Sequence, residues 1–213
     1  MPKRLEAHVF DLPVQELRRG YLSDIYFWRE KITLEHHNLH PQVTMQVFQK
    51  KEAVLCGIDE AVAVLKLAAG KYTDYPKAYK LFDKLIELKD LARRQFIGNH
   101  DAYLKTIRQK MEVSQQLDEL WHSGFEQLKV EALYDGDQIS AWEPVMHITG
   151  PYAAFAHLET LYGEYIAPRS REAGWGDTVS ASEAKTRTFR LDFASVVKAS
   201  VESAQTSPSE LVA

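Results

Sequence analysis

The sequence has little cysteine and no long apolar run, and both features narrow what the protein can be. Cys56 is the single cysteine among 213 residues, so an internal disulfide framework is excluded and a reducing compartment is favoured. No window approaches the roughly 20 apolar residues that a membrane-spanning helix needs, and the N-terminus lacks the apolar core of a signal peptide. The composition therefore predicts a cytoplasmic protein with no membrane partner.

Several signatures of catalysis and ligand binding are also missing. The sequence contains no glycine-rich phosphate loop, no zinc signature and no nucleophile elbow. A net charge of −4 and a charged fraction of 26% do not favour nucleic-acid binding. Because 45% of the residues are hydrophobic, a real core can form. These properties leave a soluble domain with no metal site and no catalytic residue identified.

Hydrophobic periodicity predicts an α+β organisation. Val43, Met45 and Val47 alternate with polar residues, as in a strand with one buried face. Ser23 and Asp59 are the predicted N-caps of the first two helices. Strands are predicted over residues 43–48, 129–134 and 145–149, and helices over 24–34, 60–69, 76–96, 101–121 and 153–166. The tight turn at 135–137 joins the last two strands into a hairpin.

The two long helices over 76–96 and 101–121 are predicted to form an inserted helical hairpin, interrupted at 98–100. Their outer faces are rich in charge, which is typical of solvated helices. The predicted apolar stripes consist of Tyr79, Phe82, Leu85, Ile86 and Leu91 on one helix and of Leu104, Ile107, Met111, Leu117 and Leu120 on the other.

Both ends of the chain differ from its middle. Residues 1–20 are mixed in character and are predicted to be an N-terminal extension. From residue 168 the composition turns to serine, threonine and alanine, although 188–193 alternates like a strand. We therefore predict a divergent tail over 168–213 that is disordered in its last stretch.

Two polar clusters leave a metal-binding module open as an alternative. His36 and His40 are four residues apart, the spacing that brings two ligands to one helix face. Pro41 favours the end of the helix there, so a surface connection explains the same residues. Asp135 and Asp137 could hold a cation, but a hairpin turn accounts for them without one.

Two further groups have the chemistry of ligand binding. Tyr26 and Arg29 put an aromatic ring and a planar cation near a helix N-terminus, which suits a flat anionic ligand. Glu159 and Arg169 lie near the end of the last helix, where an arginine could meet a phosphate or complement the helix dipole.

Six sequence blocks, in this order, resemble the N-terminal part of bacterial nicotinate phosphoribosyltransferases, which share their layout with the quinolinate enzymes. The blocks are Ser23–Phe27, Val43–Phe48, Leu55–Ala61, Leu133–Asp137, Trp142–Met146 and Phe155–Tyr162. Several blocks in one order are more specific than any single motif.

The resemblance implies a reaction and a fold. The family is a group of pentosyltransferases that join nicotinate to the ribose of phosphoribosyl pyrophosphate, giving nicotinate mononucleotide for NAD biosynthesis. Hydrolysis of ATP with Mg²⁺ commonly assists, and no cofactor is covalently bound. The implied fold over residues 21–167 is an open-faced α/β sandwich with the helical hairpin inserted at about 74–127. A barrel domain follows in the family, and two subunits complete each other's sites in a homodimer.

The resemblance also assigns site residues. Tyr26 matches the aromatic residue expected to stack on the pyridine ring, with Asp24 and Arg29 beside it. Glu159 and Thr160 match the block that leads into the barrel, and Arg169 stands where the family has arginines. These six residues are the predicted substrate site.

The resemblance ends after Tyr162. A barrel needs roughly 200 residues, so residues 168–213 cannot encode one. We therefore expect a truncated or frameshifted chain, or half of a split enzyme that needs a barrel-bearing partner and is inactive alone. The competing hypothesis is a non-enzymatic interaction domain. Without a barrel, the apolar face of the last helix, with Phe155, Leu158 and Tyr162, is predicted to be exposed and to cause self-association.

Overall fold

A computed structural model describes residues 3–163 of the chain. Its helices are α1 (Val14–Arg18), α2 (Ile25–His36), α3 (Ile58–Ala68), α4 (Tyr75–Gln95), α5 (His100–Leu120) and α6 (Tyr152–Phe155). Its strands are β1 (Gln42–Phe48), β2 (Ala53–Val54), β3 (Gly70–Tyr72), β4 (Trp121–Ser123), β5 (Lys129–Ala132), β6 (Gln138–Ile139) and β7 (Pro144–Pro151). This mixture of helices with small antiparallel sheets confirms the α+β prediction. No helix in the described range is long and apolar enough to cross a membrane.

The main sheet has three antiparallel strands in the order β1-β7-β5. Met45 pairs with Ile148 and Val47 with Met146, and all four side chains are buried. The intervening positions, such as Thr44 and Thr149, point to the other face and are more polar. The period-two alternation predicted for β1 is therefore confirmed. One face of the sheet packs in the core against α3 and the segment 152–162.

The turn at 135–137 is more than a hairpin connection. β5 and β7 do pair, but β6 lies between them in the chain and pairs instead with β2. Asp135 accepts a hydrogen bond from the amide of Ile58 at 2.8 Å, which caps α3. Asp137 accepts one from the amide of Tyr134 at 2.8 Å. Asp135 thus docks this turn against α3, and Asp137 stabilises the turn itself.

Both predicted N-caps were wrong, by two residues for α3 and by one residue for α2. The cap of α3 is Gly57, in a left-handed conformation at φ 91°, and Asp59 lies inside the helix. Asp59 binds the Arg4 guanidinium at 2.8 Å and the amide of Leu5 at 2.9 Å. The cap of α2 is Asp24 rather than Ser23, and its side chain makes no capping hydrogen bond.

Residues 3–20 pack closely on the rest of the protein. Leu17 of α1 is fully buried in the main core. The Arg4 guanidinium also donates to the carbonyls of Ala132 and Leu133, at 2.6 and 2.8 Å, and lies over the ring of Tyr134. The segment predicted as an extension therefore contributes both core and tertiary hydrogen bonds.

The long helices α4 and α5 follow and precede the paired strands β3 and β4. The two helices share a small core of their own around Phe82, Leu85 and Leu117. The predicted stripes were wrong at Ile86, Leu91, Leu104 and Met111, which are exposed. The stripe of α5 instead buries Thr106, Val113 and Leu117.

The segment after β7 is not the single helix predicted over 153–166. α6 is followed by the 3-10 turn Ala156–Leu158, and residues 159–163 are helical. Phe155, Leu158 and Tyr162 are fully buried within this chain. The prediction that this face is exposed was therefore wrong, because α2, α3 and the sheet already cover it. The predictions for 168–213 lie outside the described residues.

Candidate functional site

Three of the predicted site residues meet at the start of α2. The Thr160 hydroxyl donates to the Asp24 carboxylate at 3.2 Å, and the Asp24 amide donates to the Thr160 oxygen at 3.4 Å. The Tyr26 hydroxyl donates to the same carboxylate at 3.3 Å. Asp24 and Thr160 are 136 residues apart in the chain. The fold thus brings together two of the sequence blocks, and we call Asp24, Tyr26 and Thr160 the Asp24 cluster.

The Asp24 cluster lies beside an exposed apolar surface. Tyr21 is 66% exposed, Ile25 60%, Tyr26 42% and Leu22 41%. The ring of Tyr26 packs against that of the buried Phe27, with centroids 4.2 Å apart. The Tyr26 side chain therefore packs against Phe27 and bonds to Asp24 while much of its surface stays accessible. Such a ring can stack on a flat ligand.

The other three predicted residues are placed differently. Arg29 is exposed on α2, one helical turn after Tyr26, and makes no ion pair with the described residues. Glu159 is buried next to Thr160. Its charge adds to the effect of burial in raising the pKa of the neighbouring Tyr162. Arg169 lies outside the described residues.

A buried polar layer holds α2 in place. The Lys31 ammonium is fully buried and donates to Glu35 at 2.6 Å, to the Gly70 carbonyl at 2.5 Å and to the Ala153 carbonyl at 2.9 Å. Tyr75, at the start of α4, donates to the second oxygen of Glu35. Burial lowers the pKa of Lys31, and the charge of Glu35 partly offsets that effect. Lys31 thus joins α2, β3 and α6.

A second contact of this layer joins α2 to the segment after β7. The Tyr152 hydroxyl donates to Glu30 at 2.9 Å. Burial, followed by the charge of Glu30, raises the pKa of Tyr152, so the hydroxyl keeps its proton. Sequence reasoning missed this layer. The one feature of the sequence that indicates this layer is the spacing of Lys31 and Glu35, which are four residues apart and so can pair on one helix face.

His157 is a buried titratable group that contacts α2. Its Nε2 lies 3.1 Å from the Ala68 carbonyl, and its ring meets the edge of Trp28 with centroids 5.7 Å apart. Burial, and then the charge of Lys31, lower the pKa of His157 well below 6.5. The imidazole is therefore neutral and structural, with Nε2 as the donor to the carbonyl.

We expect His157 to make the fold sensitive to acid. As the pH falls below 6.5, an unfolded chain binds a proton on this histidine while the folded chain does not, so stability is lost. His157→Gln keeps an amide that can donate to Ala68 but cannot titrate. The free energy of unfolding of the two proteins should diverge by about 1.4 kcal/mol per pH unit below pH 6.5. Urea denaturation at pH 7.5, 6.5 and 5.5 measures this, and parallel profiles would contradict it.

The metal-binding alternative loses its geometric basis. α2 ends at His36, and Asn38 is left-handed with φ 53°, so His36 and His40 do not share a helix face. His40 bonds to Asn38 at 3.0 Å. Within residues 3–163 no three histidine, cysteine or acidic side chains are grouped to hold a metal.

Comparisons with known proteins give weak structural likenesses. No protein-family model matches the chain, and no curated protein shows significant similarity. The nicotinate-nucleotide pyrophosphorylase from Pyrococcus furiosus aligns with a TM-score of 0.42 and 20% identity, over 79% of this chain and 29% of that one. The enzyme of that name from Francisella tularensis aligns with a TM-score of 0.32 and 12% identity, over 75% and 38%. The chain thus spans less than two fifths of either protein, and these values assign neither a family nor an activity.

Proposed function

We propose that this chain supplies the pyridine-recognising part of a nicotinate phosphoribosyltransferase site. The observation that carries the proposal is the Asp24 cluster. Two sequence blocks that resemble this family, at 23–27 and 155–162, meet through hydrogen bonds between Asp24 and Thr160. If these two blocks resembled the family only by chance, there would be no reason for them to contact each other in the fold.

Each residue of the site has a role in this proposal. Asp24 and Thr160 orient the Tyr26 hydroxyl, and the exposed Tyr26 ring stacks on the pyridine of nicotinate. Arg29 pairs with the nicotinate carboxylate, since a guanidinium matches a carboxylate with two parallel hydrogen bonds. Glu159, which is buried and precedes Thr160 in the chain, supports the position of Thr160. Arg169 would reach the phosphate-bearing substrate.

The rest of the reaction requires groups beyond the described residues. Phosphoribosyl pyrophosphate, ATP and Mg²⁺ need a cluster of carboxylates and phosphate-binding groups, and residues 3–163 have no side chains grouped to hold a metal. We therefore assign those ligands to a barrel-bearing partner chain. On this proposal residues 21–163 belong to an open-faced sandwich, and the chain binds nicotinate without turning it over alone.

Ligand-observed NMR of nicotinate with the purified chain tests the proposal directly. Tyr26→Ala should weaken nicotinate binding about two- to twelvefold, because a stacked aromatic contact is worth roughly 0.5–1.5 kcal/mol. Tyr26→Phe should keep most of the affinity. Tyr21→Ala is the matched control, since Tyr21 is also an exposed aromatic residue. Arg29→Ala should weaken nicotinate but leave the uncharged nicotinamide unaffected.

One result would count against this function, and another against the assignment of the barrel to a partner. Equal losses in Tyr26→Ala and Tyr21→Ala would show nonspecific contact with the apolar surface. Nicotinate mononucleotide formed by the chain alone, from nicotinate and phosphoribosyl pyrophosphate with or without ATP, would show that the site is complete here and that the assignment to a partner is wrong.

A non-enzymatic interaction domain is the second candidate, favoured by the exposed surface of Tyr21, Leu22 and Ile25. Exposed apolar side chains grouped together mark contact surfaces. Sedimentation of the unsubstituted chain, compared with that of the Leu22→Ser and Ile25→Ser variants, distinguishes the two candidate functions. Self-association that depends on these residues, without nicotinate binding, would favour this candidate.

A further inference from the structure

Arg19 follows the last residue of α1 and lies among aromatic rings of α2 and α4. The centre of its guanidinium is 3.8 Å from the ring centroid of Tyr79, 5.3 Å from that of Trp28 and 5.9 Å from that of Phe82. A guanidinium over the face of an aromatic ring is attracted by the negative charge of the π system. The rings therefore hold a positive charge at a fixed place between α1, α2 and α4.

Arg19 has different partners from its neighbour Arg18. Arg18 donates to Asp118 at 2.5 Å and to the Leu67 carbonyl at 2.9 Å. Arg19 forms no ion pair within residues 3–163, and its buried Nε–H meets no acceptor there. A buried donor without an acceptor is unfavourable, because it has lost its hydrogen bonds to water. The aromatic rings stabilise the charge of Arg19, but they do not supply the acceptor that its Nε–H lacks.

A second buried donor lies in the same region. The side chain of Tyr72, on β3, is 2% exposed, and its hydroxyl has no hydrogen-bond partner among the described residues. Tyr72 belongs to the same small core as Phe82. Burial raises the pKa of Tyr72 to about 12, and the nearby charges of Arg18 and Arg19 oppose that rise. The hydroxyl thus keeps its proton, and two donors without acceptors lie close to each other between α1, β3 and α4.

The region is partly open to solvent. Arg19 and Tyr79 are each half-buried, whereas Trp28 and Phe82 are buried. The guanidinium therefore has a part that the rings enclose and a part that a solute can reach. Asp83, one turn after Tyr79 on α4, is exposed and pairs with no cation in the described range. The accessible part of Arg19 is thus not neutralised by a carboxylate of residues 3–163.

We propose that Arg19 and Tyr72 bind a small oxyanion, a phosphate or carboxylate group of a metabolite. An oxyanion has acceptors only, so it complements donors that lack an acceptor, and a guanidinium can offer it two parallel hydrogen bonds. Because the rings already fix the guanidinium, little side-chain entropy is lost on binding. Neither residue belongs to the Asp24 cluster, so the proposal does not rest on nicotinate binding.

Nuclear magnetic resonance of the full chain, labelled with ¹⁵N, tests this site. The probes are inorganic phosphate and acetate, each titrated at an ionic strength held constant with sodium chloride. The Nε–H resonance of Arg19, assigned by its loss in Arg19→Lys, should shift and saturate with at least one probe. The probe that binds more tightly identifies the group that the site recognises.

Matched variants separate recognition from general attraction of anions. Arg19→Met should weaken the binding, followed through nearby backbone amides, by about tenfold or more. Tyr72→Phe should weaken it by about three- to tenfold, because it removes a hydroxyl without changing the charge. Arg93→Met, which removes an exposed arginine of α4, should leave the affinity unchanged. Circular dichroism melts check that each variant folds.

Three results would overturn the proposal. Shifts of the same size in a titration with sodium chloride alone would show a general effect of salt. Unchanged affinity in Arg19→Met would show that the oxyanion binds elsewhere, and Arg19 would then be a structural cation held by the rings. Binding that is lost in Tyr26→Ala but kept in Arg19→Met would place the oxyanion at the Asp24 cluster.

Discussion

Replacing Lys31 by methionine is expected to lower the free energy of unfolding by about 3–5 kcal/mol. The ammonium is fully buried, and it is the shared donor to Glu35 and to the carbonyls of Gly70 and Ala153. Methionine keeps a similar unbranched stem, so the change removes charge and hydrogen bonds more than volume. It leaves the Glu35 carboxylate with one donor fewer in a largely buried position. Chemical denaturation with urea measures the loss.

Two further variants separate the effect of the buried charge from the effect of replacing any lysine by methionine. Lys66→Met changes an exposed lysine of α3 and should alter stability by less than about 0.5 kcal/mol. The double variant Lys31→Met and Glu35→Gln removes both charges, so it should recover part of the loss. If Lys31→Met and Lys66→Met have the same effect, the buried pair does not stabilise the fold.

The role of Lys31 also bears on the proposed site. It anchors the middle of α2 to α6 and β3, whereas Asp24 and Tyr26 lie at the start of the same helix. Loosening α2 should therefore disturb the contact of Asp24 with Thr160. In Lys31→Met protein that remains folded, we expect weaker nicotinate binding although Lys31 is not in the Asp24 cluster.

The elements that sequence predicted well are those fixed by local patterns. The alternation in β1 follows from one buried face. The bounds of α4 and α5 follow from a proline in the first turn, an asparagine cap and the glycine between the helices. In each case the physical cause lies within a few residues of the structure it produces, so no tertiary information was needed.

The errors arose where a distant residue decides the outcome. α3 is capped by Asp135, 77 residues from Ile58, and no local signal favours it over Asp59. The helical spacing of apolar residues predicts Leu104 and Met111 on the buried stripe of α5, but Thr106 packs inward and bonds to Gln95 at 2.7 Å. The sequence of one helix does not show which of its faces the neighbouring helix will cover.

The candidate site likewise contains residues that the sequence indicated and contacts that only the structure shows. The resemblance to a family pointed to Asp24, Tyr26 and Thr160 separately, and the fold brings them within hydrogen-bond distance. The supporting contacts of Lys31, Tyr152 and His157 could not be predicted, since each connects segments that are far apart in the chain. Buried polar groups need such partners, but sequence does not say which groups supply them.

Gly20→Ala is expected to destabilise the protein by about 2–5 kcal/mol, from two separate causes. Gly20 has φ +68°, a left-handed conformation that costs an alanine roughly 1–2 kcal/mol. A Cβ at this position would also lie no more than 2.9 Å from three atoms of the Trp28 ring, and such overpacking typically costs about 1–3 kcal/mol. Trp28 is buried and meets His157 edge to face, so it has little room to move.

Gly98→Ala separates these causes. Gly98 also has a positive φ, of +117°, but no atom lies within 4 Å of the position that its Cβ would take. Its substitution therefore reports a backbone cost without a collision. Because φ +68° suits an alanine better than φ +117°, a larger loss in Gly20→Ala than in Gly98→Ala reports the collision with Trp28. Urea denaturation of both variants, with near-ultraviolet circular dichroism of the tryptophans, measures each part. The two variants could instead lose equal stability while the tryptophan signal is unchanged. The Trp28 ring would then accommodate the methyl group, and the packing beside α2 would be looser than the structure indicates.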